Sequence, residues 1–189
     1  MKPEITKYKN GQIGSETWRN EARRIHRLDG PARREWHKNG QLAWEEWSID
    51  GQRHRLEGPA IQTWYENGQL RWKAWYINDQ IHRLDGPAYQ TWHENGRLGL
   101  VEYRVNNARH RLNGPAHREW YASGQLELEA WYINDQLHRL DGSAVVRYNP
   151  ANGEPCNCEY HINGVEYETE AEFLVAVDLY KANEIAELF

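Results

Sequence analysis

The chain has 189 residues, enough for one domain with a real core and too few for two comfortable ones. Its 10 Trp and 11 Tyr against 2 Phe and 1 Met suit half-buried sheet surfaces, where a ring packs and its polar atom stays wet. The net charge of −5 hides a gradient: residues 1–25 carry six Lys/Arg to three Asp/Glu, 26–137 fourteen to fifteen, and 138–189 three to ten, so the chain lacks the basic footprint of a duplex nucleic-acid binder.

In chain order, a partial unit comes first: Tyr8-Lys9-Asn10-Gly11-Gln12-Ile13, followed by Trp18. His-Arg-Leu then recurs at His26, His54, His82, His110 and His138, each 28 residues after the last. The full unit reads His-Arg-Leu-Asp-Gly-Pro-Ala, three variable residues, Trp, two more, then Asn-Gly-Gln-Leu. Glu57 and Asn113 replace the Asp in two copies, and the fifth copy carries Ser143 in place of Pro and later gains a residue. Self-similarity at a fixed period is the signature of a repeat array. The organisation that follows is a partial repeat or cap over 1–25, five hairpin repeats over 26–167, and a terminal segment over 168–189.

Each unit holds two turn signals. Asn39-Gly40, Asn67-Gly68, Asn95-Gly96 and the weaker Ser123-Gly124 read as two-residue type I′ hairpins, which need φ > 0 at both central residues. Asp50-Gly51, Asn78-Asp79, Asn106-Asn107 and Asn134-Asp135 also tolerate the left-handed region. Between the turns lie β-rich runs such as Arg71 to Ile77, and Pro31 sits at the edge of the other strand, as sheets allow. Within the second run Leu70/Trp72 and Trp75/Ile77 follow opposite phases, so a bulge or bend should fold the sheet there and turn both aromatic sets inward. The Gly of each Gly-Pro corner, Gly86 among them, is expected to hold positive φ.

The terminal segment reads differently. Thr169 and Glu172 fit a capping box, and Phe173, Leu174, Val177, Leu188 and Phe189 fall at helix-like spacing. A helix from about 169 to 187 would close the last exposed sheet edge. The fold class expected is therefore all-β: an elongated β-hairpin array of about five 28-residue units with a short, acidic C-terminal capping helix.

These hairpin repeats carry a resemblance. The Asn-Gly-Gln-Leu…Trp-Tyr-Ile-Asn pattern resembles MORN-type repeats, in the variant class of bacterial antitoxin-like proteins. The His-Arg-Leu-Asp-Gly-Pro-Ala corner is similar to a longer form of that repeat in phage and large-virus proteins. The closing Asn163-Gly164-Val165-Glu166-Tyr167 with its acidic helix is similar to how such chains end. The match covers about 160 residues and departs from the common unit in its longer period and its His-Arg pair. It implies an interaction module with no catalytic residues.

Five His-Arg pairs invite a metal reading, which geometry opposes. Equivalent residues of successive repeats lie two strands apart, about 9–10 Å at ~4.8 Å per strand, whereas zinc–nitrogen bonds are ~2 Å. The better reading is a corner in which the acidic side chain caps backbone N–H groups and pairs with Arg. Positions kept in every copy serve every copy, so they read as scaffold. Ser15, Ser48, Ser123 and Ser143 occupy no nucleophile motif, and there is no phosphate loop. A non-enzyme without cofactor or metal is expected.

The positions that vary between copies are Arg33/Glu35/His37, Ile61/Thr63/Tyr65, Tyr89/Thr91/His93 and His117/Glu119/Tyr121, opposite the Trp36, Trp64, Trp92 and Trp120 row. This strip mixes aromatic with polar groups, as interfaces do. Ile61, Tyr65, Tyr89, His93, His117 and Tyr121 are its candidate partner-binding residues; an ordinary solvated sheet face is the plainer alternative. A protein partner fits best, either as a phage-encoded inhibitor of a host protein or as an antitoxin-like immunity factor. The other reading is stacking of Trp and Tyr on single-stranded nucleic acid or glycan; the neutral body and acidic tail weigh against nucleic acid. Homo-oligomerisation stays open. No apolar run approaches the ~18 residues of a membrane helix. Met1-Lys2-Pro3-Glu4 lacks the apolar stretch of a secretory signal, and Cys156 and Cys158 stand too close to staple the fold. A reducing, cytoplasmic location is expected, the host cytoplasm if the protein is viral.

Overall fold

A computed structural model describes residues 2–186. Among these residues the chain is all-β apart from one C-terminal helix, Glu170–Ala186, and its strands are antiparallel hairpins repeated along the sequence. Two compact units are distinguishable. One comprises the residues up to Asn107 together with Ala122–Gly124; the other comprises Ala108–Tyr121 and the residues from Gln125 onward.

In the first unit the main sheet begins with the partial copy, Glu4–Lys7 and Ile13–Thr17. It continues through Arg33–Trp36, Leu42–Glu46, Ile61–Trp64, Leu70–Ala74, Tyr89–Trp92 and Leu98–Glu102, each hydrogen-bonded to the next. In the second unit His117–Trp120, Leu126–Ala130, Val145–Tyr148, Pro155–Ile162 and Val165–Tyr167 follow the same rule. The β-rich run from Leu70 to Ile77 is not one strand. Leu70–Ala74 belongs to the main sheet, Trp75 lies outside any strand, and Tyr76–Ile77 pairs with Gln80–Ile81 in a separate two-stranded ladder. The break is bonded: the Trp75 N–H donates to the Ala88 carbonyl (2.9 Å), and the Trp75 carbonyl accepts from the His82 N–H (3.1 Å). The phase change at Trp75 thus marks where the chain leaves the sheet.

The two turns of each unit differ. Asn78 and Asp79 both have positive φ (49° and 66°), as do Asn106/Asn107 and Asn134/Asp135, the geometry of a type I′ hairpin. The Asn-Gly turns are not of that type. Gly40 has φ +85° while Asn39 does not enter the positive region; the Gly40 N–H donates to the His37 carbonyl (2.9 Å) and the His37 N–H to the Gln41 carbonyl (2.8 Å). This is a three-residue loop whose glycine supplies the left-handed residue. The Asn39 side chain explains the choice: its Oδ1 accepts from the Gln41 N–H (3.0 Å), and its Nδ2 donates to the Glu66 carbonyl in the next copy (2.7 Å). Asn67 and Asn95 repeat the stitch, to the carbonyls of Glu94 and Ala122.

The small hairpin folds over the main sheet and fixes the core. Ala60, Ile61, Ala74 and Tyr76 form a buried cluster in the first unit, with Trp44, Trp47, Trp72, Ile81 and Tyr89 packed against it. The indoles of Trp44 and Trp72 meet edge to face there, centroids 5.4 Å apart. In the second unit Leu128, Ala130 and Val145 form the corresponding cluster.

The helix closes the second unit. The Thr169 hydroxyl accepts from the Glu172 N–H (3.2 Å), the forward half of a capping box. Phe173 and Val177, 2% and 3% exposed, pack with Ile162, and Tyr160, Tyr167 and Tyr180 pack around them. Leu174, expected on that face, instead is 54% exposed: Phe173, Val177 and Tyr180 share one side of a 3.6-residue turn, and Leu174 lies ~100° away from it. Leu188 and Phe189 lie outside the described residues.

Candidate functional site: a ledge of corner leucines

Ile61, Thr63 and His117 of the variable strip are buried, and its other residues are half-buried. Ile61 is 2% exposed within the first unit's cluster, and His117 is 9% exposed, its Nε2 2.8 Å from Glu119 Oε1. Tyr89 packs on that cluster with its ring centroid 5.8 Å from that of Trp72, and burial pushes its hydroxyl up from the ordinary tyrosine range. Tyr65 Oη donates to the Trp92 carbonyl (2.8 Å), and Tyr121 Oη to the Tyr148 carbonyl (3.4 Å). Tyr8 Oη reaches the Trp36 carbonyl (2.6 Å), and His37 Nε2 lies 2.9 Å from the Trp64 carbonyl. The position therefore takes Tyr or His because a long side chain must carry a polar hydrogen across to the next copy. His93, the equivalent in the third copy, is half-buried and also partnered. The physical reason for the inversion is the small hairpin, which lies over the side of the sheet that Ile61 and Thr63 occupy. Alternation by itself cannot tell which side that is.

The corners are built from the guanidinium outward. Arg83 Cζ sits 4.1 Å from the Trp75 ring centroid, a cation–π contact. Its Nη1 donates to the Pro87 carbonyl (3.3 Å) and its Nε to Asp85 Oδ1 (2.7 Å). Arg27 on Trp18, Arg55 on Trp47 and Arg139 on Trp131 repeat the stacking at 3.9–4.4 Å. Those indole faces are occupied by guanidinium groups and are not free for stacking on a base or sugar. The hydrogen bond from Arg83 holds the Asp85 carboxyl below the usual carboxylate range, and Asp29 and Asp141 are lowered in the same way by Arg27 and Arg139. Asp29, Asp85 and Asp141 thus pair with Arg, as the repeat suggested.

The histidines serve the neighbouring turn. His82 Nδ1 faces the Asn106 N–H (3.3 Å) and the Asn106 side-chain oxygen (2.7 Å), and His54, His110 and His138 do the same with Asn78, Asn134 and Asn163. Among the described residues no three His, Cys, Asp or Glu side chains gather in a group that could hold a metal.

The leucine of each corner has no such duty. Leu28, Leu56, Leu84 and Leu112 are 73%, 77%, 79% and 75% exposed. Between Leu56 and Leu84, in the first unit, runs a groove of about 610 Å³ floored by Trp75 and Ile77 and edged by Arg55 and Arg83. Leu140, the fifth member, differs: it packs against the Phe173/Val177 cluster under the helix. Recurrence in every copy makes the leucine read as scaffold. A signal against that reading is nonetheless present in the sequence, because a large apolar residue stands between Arg and Asp-Gly-Pro, outside any alternating strand pattern.

No family model matches the chain, and no curated protein does.

Proposed function

We propose that the chain is a non-enzymatic protein-binding module whose recognition surface is the ledge of corner leucines in the first unit, Leu28, Leu56 and Leu84. The observation that carries this reading is the uniform exposure of Leu28, Leu56 and Leu84 in the first unit, with Leu112 of the second unit equally open by itself. One exposed leucine means little, since such residues scatter over ordinary surfaces. Four at the same motif position are another matter, because the Arg, Gly, Pro and Ala around each are all engaged within the fold and the leucine is not. A side chain repeated without an internal role is explained by an external one. Repeat proteins recognise partners through such serial surfaces, and the arginines stacked on Trp18, Trp47 and Trp75, two of them ion-paired to the corner Asp, hold the leucines at low entropic cost, which favours affinity. The resemblance to MORN-type repeats supplies two partner classes: a host protein inhibited by a viral chain, or a toxin neutralised by an immunity factor.

The test is comparative capture. The full chain and its Leu28→Ser/Leu56→Ser/Leu84→Ser variant serve as parallel baits in extract of the native cell, after thermal melts confirm equal folding. Proteins retained by the first and lost by the second support the reading. Equal retention by both, or no specific retention by either, overturns it.

A further inference from the structure

The fifth corner shows what kind of group fits the others. Its groove, about 460 Å³, is lined by Leu112, Trp131, Ile133, His138, Arg139 and Leu140, and Tyr180 of the helix closes one side. The Tyr180 ring stands 5.6 Å from that of His138 at 66°, edge to face. The open groove of the first unit presents Leu56, Trp75, Ile77, His82, Arg83 and Leu84, the same residue types 56 positions earlier in the sequence. The bonding beneath is also the same, with Arg83 and Arg139 each 2.7 Å from their aspartates.

Resting on the reading of the ledge as a binding surface, we infer that the groove between Leu56 and Leu84 accepts an amphipathic α-helix of a partner protein. That helix projects an aromatic residue seven positions after the first of its apolar anchors. The pattern is the one this chain uses on itself: Phe173 and Val177 pack on Leu140, Ile162, Tyr160 and Tyr167 beside the groove, and Tyr180 reaches its edge with the ring beside the corner histidine. The three anchors fall on one helix face, and helix-in-groove binding reads such anchors at i, i+4 and i+7. The helix of a second copy is the poorer occupant. Its own Phe173/Val177 face is already docked on Leu140 in the same chain, at the high effective concentration that covalent linkage gives.

The probe is a fluorescent peptide of residues 168–186, cross-linked through the solvent-facing positions 174 and 178, since an isolated helix of this length is marginal in water. It is titrated into the full chain and followed by anisotropy. The inference expects saturable binding, weakened at least tenfold by Leu56→Asp/Leu84→Asp in the protein and, separately, by Tyr180→Ala in the peptide. Equal melts of the two proteins exclude a folding artefact. Absence of saturable binding, or binding indifferent to Leu56→Asp/Leu84→Asp, overturns it; if capture by the native chain still depends on the leucines, only the helical occupant is lost and the ledge stands. A dimer in sedimentation that dissociates with Leu56→Asp/Leu84→Asp also overturns it, by assigning the groove to a second copy.

Discussion

The corner at Leu84 and the corner at Leu140 are built alike and end differently. In both, an arginine lies on an indole, at 4.1 Å for Arg83 and 3.9 Å for Arg139, and pairs with an aspartate two residues on. Leu84 is 79% exposed, whereas Leu140 packs against Phe173 and Val177. Nothing in the bonding of the corner changes when its leucine is covered. The corner is a preformed seat, and covering it removes apolar surface from water at about 25 cal/mol per Å² without rearranging what lies beneath. The replacement of Pro by Ser143 leaves even the arginine–carbonyl bond in place, at 3.1 Å to Ser143 against 3.3 Å to Pro87.

The strongest way to break the comparison is to uncover Leu140. Phe173→Ala removes the fully buried anchor of the helix and should cost about 3–5 kcal/mol in denaturant unfolding, the usual range for a buried phenylalanine. Amides of residues 170–186 should exchange faster at the same time. A loss under ~1 kcal/mol would mean that the helix does not hold the fifth corner closed.

A second experiment asks how rigid the open corners are. Gly58 has φ +125°, a conformation side chains rarely adopt, and a Cβ there would lie 3.2 Å from Arg55 Cζ. Gly58→Ala should cost about 1–3 kcal/mol from backbone strain. Gly86, expected to hold positive φ as well, does not. A Cβ there would stand 2.9 Å from Arg83 Cζ, the far end of a flexible side chain that can give way. Gly86→Ala should therefore cost less than Gly58→Ala. Thermal melts that rank the two the other way would show that the guanidinium, stacked on Trp75, is the stiffer constraint.

The smallest effect is electrostatic. Asp85 and Asp141 both have carboxyl pKa values lowered first by the hydrogen bond from the neighbouring arginine. A carboxylate whose folded pKa is depressed adds stability that is present above its unfolded value of ~3.9 and is lost as pH falls through the folded value. Carboxyl titrations followed by NMR should place both residues below the ordinary range, alike despite the helix over one corner. Arg83→Gln should return Asp85 alone toward ~3.9. Titration of Asp141 at the ordinary value beside a depressed Asp85 would show that the covered corner had lost its ion pair.

The sequence by itself determined the periodic parts. The 28-residue step set the hairpin order, Asn78-Asp79 specified a turn with two left-handed residues, Thr169 marked the helix start, and the Asp of each corner pointed to its arginine. All of these are local: they depend on backbone conformation and on side chains a few residues apart, so the chain need not be folded to be read. The tertiary structure decided everything that required knowing which side of a strand is covered. Ile61, Tyr65 and Tyr121 alternate correctly with Trp64 and Trp120, but period-two alternation names two faces without ranking them. Which one is inside depends on where Tyr76 and Ile81 come to rest after the break at Trp75. The Asn39-Gly40 loop has the same three-residue form as the Asn10-Gly11 loop, each Asn side chain accepting from the amide two residues on, and the further bond of Asn39 to a carbonyl 27 residues away is what only the folded chain shows. Leu84 and Leu140 carry the same motif letter, and only the packing of Phe173, Val177 and Tyr180 distinguishes the leucine that is covered from the one that is exposed.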